Sequence, residues 1–103
     1  MEKSKSCANF QHTCDLLGKR WTLLIIRSLL SGSKRFKEMT DDIDNISHRV
    51  LGERLKNLEQ DNYVVRHVYP ETPVRIEYEL TEKGKDLAET ITALERWAEK
   101  WTH

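Results

Sequence analysis

Two groups of residues in this chain have the types and spacing that chemistry needs. The first is a pair of thiols, Cys7 and Cys14, near the start of the chain. Cys7 stands just ahead of an expected helix with Lys3 and Lys5 nearby. A helix start and neighbouring cations are the settings in which thiols become reactive. The second group is Ser47-His48-Arg49, followed by Gly52 and Lys56. Arginine can donate two parallel hydrogen bonds to a guanine edge, and histidine can donate to a base or a phosphate. Glycine lets a helix backbone come close to its partner, at a helix-propensity cost of ~1 kcal/mol. These are the groups of a helix that enters the major groove N-terminal end first. No Ser/His/Asp order, phosphate loop or paired carboxylates stand at a plausible site, so no enzyme activity is expected. No cofactor is expected. Cys7, His12 and Cys14 match no structural zinc spacing, so no metal is expected.

The elements that must position these groups follow from periodicity. Phe10, Cys14 and Leu17 recur at helical spacing, which predicts a helix over 8–17, and makes Cys14 a buried small hydrophobe. Trp21 to Leu30 holds seven large apolar residues in ten positions. Such a helix is apolar nearly all round and belongs in the core. Phe36, Met39 and Ile43 predict a third, short helix. Ser47 suits the N-cap of a fourth, running to Gln60, with Leu51, Leu55 and Leu58 as its buried stripe. Arg54, beside that stripe, is expected to tie the helix to a neighbour. The pattern then changes to β-formers over 63–69 and to strict alternation over 75–80, with Ile76, Tyr78 and Leu80 on one face. The segment 70–73, which holds Pro70 and Pro73, makes the turn of a β-hairpin. A last helix begins at Thr81, with Leu87, Ile91, Leu94, Ala98 and Trp101 as a heptad seam and Trp97 beside it.

Composition agrees with a folded domain. The 103 residues are 33% charged and 38% hydrophobic, which is a globular profile. One domain is expected over 1–103: an N-terminal arm and helix (1–17), a winged-helix core (18–80) and a dimerisation helix (81–103). Net charge is zero, but residues 1–40 carry eight basic groups against three acidic ones. A neutral domain can still present one basic face. The longest apolar run, Leu23 to Ile26, is far short of a membrane span, and no signal peptide is visible. Two cysteines close together do not resemble a secreted disulfide scaffold, so a reducing cytoplasm is expected.

The order helix, helix, helix, helix, hairpin, helix gives a mainly α fold with a small β-hairpin: a winged helix-turn-helix with flanking N- and C-terminal helices. The chain resembles the HxlR-type bacterial transcription regulators, relatives of the MarR repressors. The matching pieces are Leu17-Gly18-Lys19-Arg20-Trp21, Arg35-Phe36-Lys37-Glu38-Met39, Ile46-Ser47, Leu51 with Arg54 to Glu59, and Thr72 to Thr81 with Gly84 after. They span nearly the whole chain. The resemblance implies a homodimer built on the first and last helices, a recognition helix in the major groove and a wing beside the phosphates. It also places Cys7 where many members carry a single sensing cysteine, as in the thiol-based repressors that respond to quinones and diamide. Those members usually have proline after that cysteine, where this chain has Ala8.

The expected function is therefore a DNA-binding transcriptional regulator, a repressor that senses oxidants or electrophiles such as quinones through Cys7. Its partner would be double-stranded DNA with a palindromic operator. Ser47, His48, Arg49, Gly52 and Lys56 would face the groove. Lys19, Arg20, Arg35, Lys37 and Arg75 would reach the backbone, with Lys34 a further candidate. Phe10, Cys14, Leu87, Ile91, Leu94, Trp97 and Trp101 would build the dimer interface. On one helix the two thiols would lie ~10 Å apart, beyond the ~7 Å Cα separation a disulfide tolerates. Alkylation, mixed disulfides or a bridge to the other subunit are then easier than an intrachain bridge. Two other readings remain open: a winged-helix regulator without redox sensing, and a protein–protein adaptor using the same fold.

Overall fold

The structure, a computed structural model, describes residues 5–102. It contains α1 (Lys5–Leu17), α2 (Thr22–Leu29), α3 (Phe36–Asp42), α4 (His48–Gln60), β1 (Val64–Tyr69), β2 (Arg75–Leu80), α5 (Glu82–Lys85) and α6 (Ala88–Trp101). Helices α2 to α4 and the hairpin form a winged helix-turn-helix. Ile25, Ile26 and Leu29 of α2 meet Met39 of α3 and Leu51, Leu55 and Leu58 of α4 in one buried cluster, closed by Tyr63, Val64, Leu80 and Ile91. Burying each of these side chains is worth about 1.5–3 kcal/mol, so this cluster outweighs any ion pair on the surface.

The strands pair antiparallel, from Val64 opposite Leu80 to Tyr69 opposite Arg75. That register puts Val64, Arg66 and Val68 on the same face as Ile76, Tyr78 and Leu80. Lys34 adds a short bridge on the other edge of β2: its N–H donates to the Tyr78 carbonyl at 2.9 Å, and the Tyr78 N–H donates back at 2.8 Å.

Three expectations need correction. The last helix is not continuous from Thr81. The Thr81 hydroxyl accepts from the Gly84 N–H at 3.2 Å and caps only the four-residue α5. Gly84 presses on the hairpin so closely that a Cβ there would lie 2.5 Å from the Tyr63 carbonyl oxygen. Held against that strand, the chain must turn at Asp86 and Leu87 before α6 can run beside α2. The expected seam is therefore split: Ile91 is buried in the protomer's own core and Leu87 half-buried against it, while Leu94, Trp97 and Trp101 are exposed. Nor is α2 buried all round, since Leu24 is exposed. Among the described residues no helix is long and apolar enough to cross a membrane.

Candidate nucleic-acid interface and cysteine sites

The start of α4 is set by Ser47. Its backbone is extended, and its Oγ accepts the Val50 N–H at 3.1 Å. The buried stripe Leu51, Leu55, Leu58 turns the opposite side of α4 outward, and that side carries Arg49, Glu53, Lys56 and Gln60 at helical spacing. His48 is exposed and meets the Phe36 ring edge-on, with centroids 5.6 Å apart, which links the first turn of α4 to α3. The Arg49 Nη1 lies 2.9 Å from Glu53 Oε1 one turn on. Both side chains are exposed, so this pair is worth only ~0.3–0.5 kcal/mol and a stronger acceptor can take Arg49 from it. A Cβ added to Gly52 would meet nothing within 4 Å. The protein's own packing therefore gives no reason for glycine there.

The other expected contacts do not gather on that side. Lys19 Nζ lies 3.4 Å from Asn57 Oδ1, on a different flank of α4. The Arg20 guanidinium stacks 4.6 Å above the Trp21 ring. Arg54 donates from Nε to the Arg20 carbonyl at 2.9 Å, the link to a neighbour that its place beside the stripe predicts. Arg35 precedes α3, with its N–H donating to Glu38 Oε1 at 2.9 Å. Lys37, in the first turn of α3, faces Asp41 at 3.7 Å.

Arg75 and Lys34, expected beside the phosphates, already have partners within the protein. The Arg75 guanidinium donates to both oxygens of Glu71, at 3.0 and 3.3 Å, and to Glu77, and stacks 3.9 Å above the Tyr69 ring. The hydrogen bond from Arg75 holds the Glu71 carboxyl below its ordinary range. Glu71 and Glu77 in turn raise Arg75. Arg75 is a brace within the wing. Lys34 is bonded to Asp42 and Ser28, which joins the wing edge to α2 and α3.

Arg66 was outside the expected set. It lies on the hairpin face that turns toward α4, where a groove is lined by Gly52, Lys56, Arg66 and Tyr78. Strand alternation carries its signal: Arg66 stands between Val64 and Val68, in a position where an apolar residue is otherwise expected.

Cys7 is exposed, in the first turn of α1 and not ahead of the helix. Lys3 lies outside the described residues. Cys14 is exposed too, which corrects the expectation of a buried thiol in the single protomer. It opens on a cleft whose walls include Phe10, Leu17, Leu23 and Leu87. His12 points elsewhere, with Nε2 at 3.2 and 3.3 Å from the Asp61 carboxylate. Phe10, Trp97 and Trp101 are 70%, 61% and 65% exposed. A small protein rarely leaves three such side chains in water.

Known proteins share this fold. The HxlR-like helix-turn-helix pattern matches residues 16–103. The HTH-type transcriptional regulator YvaP of Bacillus subtilis is 50% identical over 101 residues, covering 98% of this chain and 94% of YvaP. The B. subtilis regulator YodB has been solved after diamide treatment and with quinone bound. The diamide-treated structure is 46% identical, with a TM-score of 0.79 over 97% of this chain and 99% of YodB. The quinone-bound structure is 43% identical, with a TM-score of 0.78 over 90% of this chain and 97% of YodB. With its winged helix, Ser47-capped α4 and flanking helices, the chain belongs to the HxlR-like helix-turn-helix family of DNA-binding transcriptional regulators.

Proposed function

We propose that this regulator acts as a homodimer that lays α4 of each copy in the major groove of a palindromic operator and releases it when Cys7 is modified. The observation that carries the DNA reading is the outer side of α4. A Ser47 cap fixes its start, His48 and Arg49 stand exposed in the first turn, and Gly52 has open space above it. Arg49 suits a guanine edge and Lys56 a phosphate. Lys19, Arg20, Arg35 and Lys37 are secondary backbone contacts. The apolar side chains left exposed on α1 and α6, Phe10, Leu94, Trp97 and Trp101, support a two-fold interface that also covers Cys14.

Cys7 is the sensing group in this reading, supported by its exposure in the first turn of α1 and by the diamide-treated and quinone-bound forms of YodB. Its sulfur adds to an electron-poor quinone carbon. One S–C bond forms, the thiol proton passes to the quinone oxygen, and nothing leaves. An adduct at the end of a helix in the dimer interface shifts that helix, and the paired α4 helices lose the spacing one duplex requires. The cytoplasm, where thiols stay reduced, is the compartment in which such a switch works.

The test is a titration of labelled genomic DNA, with and without diamide or a quinone, on the parent and on Cys7→Ser. The parent should release DNA on treatment and recover with reductant after diamide, while Cys7→Ser holds on. If Cys7→Ser releases DNA as the parent does, Cys7 is not the sensor and the chain is a regulator without this input.

A further inference from the structure

We infer that Arg66, on β1, is a DNA-contacting residue: it and Lys56 hold a phosphate of the duplex from opposite sides of the groove between α4 and the wing. This rests on the DNA reading above and extends it to a residue outside the recognition helix. Three observations carry it. Gly52 floors the groove, and no protein atom lies within 4 Å of where its Cβ would be. Glycine inside a helix is unfavourable unless something must come close to the backbone, and here that something is not part of the described protein. Lys56 and Arg66 flank the floor from the two elements, both exposed. Among the described residues neither makes an ion pair, whereas Arg49, Arg54, Arg75 and Lys37 all do. Long cations left unpaired on both sides of one open groove suit an anion with an extended, repeating charge. A phosphate backbone is such an anion.

The two carboxylates at the groove do not cancel this. Glu53 is engaged by Arg49 at 2.9 Å and by Arg54 at 3.8 Å. Glu59 lies almost one turn beyond Lys56 toward the end of α4, where it limits how far the strand tracks along the helix. Glu59→Gln should therefore tighten binding.

The experiment compares the parent, Arg66→Ala and Gly52→Ala on a genomic fragment that the parent binds and on a random duplex, over a range of salt. For Arg66→Ala the slope of log affinity against log salt should flatten by ~0.9, the release of one phosphate contact, equally on both duplexes. The ratio of specific to random affinity should hold, since a phosphate contact carries no sequence information. Gly52→Ala should raise the thermal midpoint, because alanine favours helix and its Cβ clashes with nothing, yet bind both duplexes at least tenfold more weakly. Unchanged slope and affinity in Arg66→Ala overturn the inference while leaving the DNA reading intact. So does a Gly52→Ala protein that is more stable and binds like the parent. A parent that binds no duplex in a salt-dependent way overturns both.

Discussion

Replacing Trp97 by alanine should split the dimer without unfolding the protomer. Trp97 is 61% exposed in the single chain. A tryptophan side chain offers roughly 250 Å², so a partner subunit could remove about 150 Å² of it from water. At ~25 cal/mol per Å² that is ~4 kcal/mol for each copy. Ordering and desolvation at the interface take part of this, so the figure is an upper bound. A buried aromatic anchor at an interface commonly costs ~2 kcal/mol or more when truncated. A two-fold axis counts the change twice, which sets a floor of ~4 kcal/mol and about a thousandfold rise in the dimer dissociation constant. The protomer itself should lose little, because an exposed substitution away from the core changes stability by roughly 0.5 kcal/mol or less. Sedimentation velocity over a wide concentration range reads the first effect, and circular dichroism with thermal melting reads the second. The parent should sediment at twice 12.2 kDa and Trp97→Ala at that mass once diluted to micromolar concentrations. A parent that sediments as a single protomer, or a variant that dimerises as tightly as the parent, refutes the assignment of this surface to a second copy.

Other expectations follow from single contacts. Ser47→Ala removes the acceptor of the Val50 N–H and should cost ~1 kcal/mol in urea unfolding with an unchanged slope, whereas Ser47→Gly should cost only a few tenths. Arg49→Ala should weaken operator binding by ~1–3 kcal/mol if Arg49 reads a guanine, measured against random DNA by fluorescence anisotropy. Glu71 is held below its ordinary range by Arg75, so its stabilising contribution is whole above the unfolded value and is lost as pH falls through the lower folded value. The thermal midpoint of the parent should therefore drop more steeply below about pH 4.3 than that of Glu71→Gln. Parallel curves would remove Arg75–Glu71 as the brace of the wing.

Much of this fold was legible before any coordinates, because local rules and tertiary packing agree. The Leu51, Leu55, Leu58 stripe and the Ser47 cap place α4 to within a residue, and alternation over 75–80 places β2. What escaped depends on contacts distant in sequence. The break at Asp86 follows from Gly84 pressing on Tyr63, which periodicity does not record. The heptad seam on α6 reads as one stripe, yet packing against α2 takes Ile91 inward and leaves Trp97 and Trp101 outside. The ion pair of Arg75 is hidden in the sequence, because only the folded hairpin turn brings Glu71 back beside it. Cys14 shares a helical stripe with Phe10 and Leu17, and that stripe is exposed in one protomer. The same spacing serves a core and an interface, so periodicity alone does not separate them.

Selection of the protein's preferred sites from a random duplex pool tests the paired-helix DNA reading most directly. Two α4 helices held by one dimer should enrich an inverted repeat whose half-sites lie one helical turn, about 34 Å, or a whole multiple of it apart. Enrichment of an unrepeated half-site, or of no sequence at all at a salt concentration where single-site contacts persist, would contradict it.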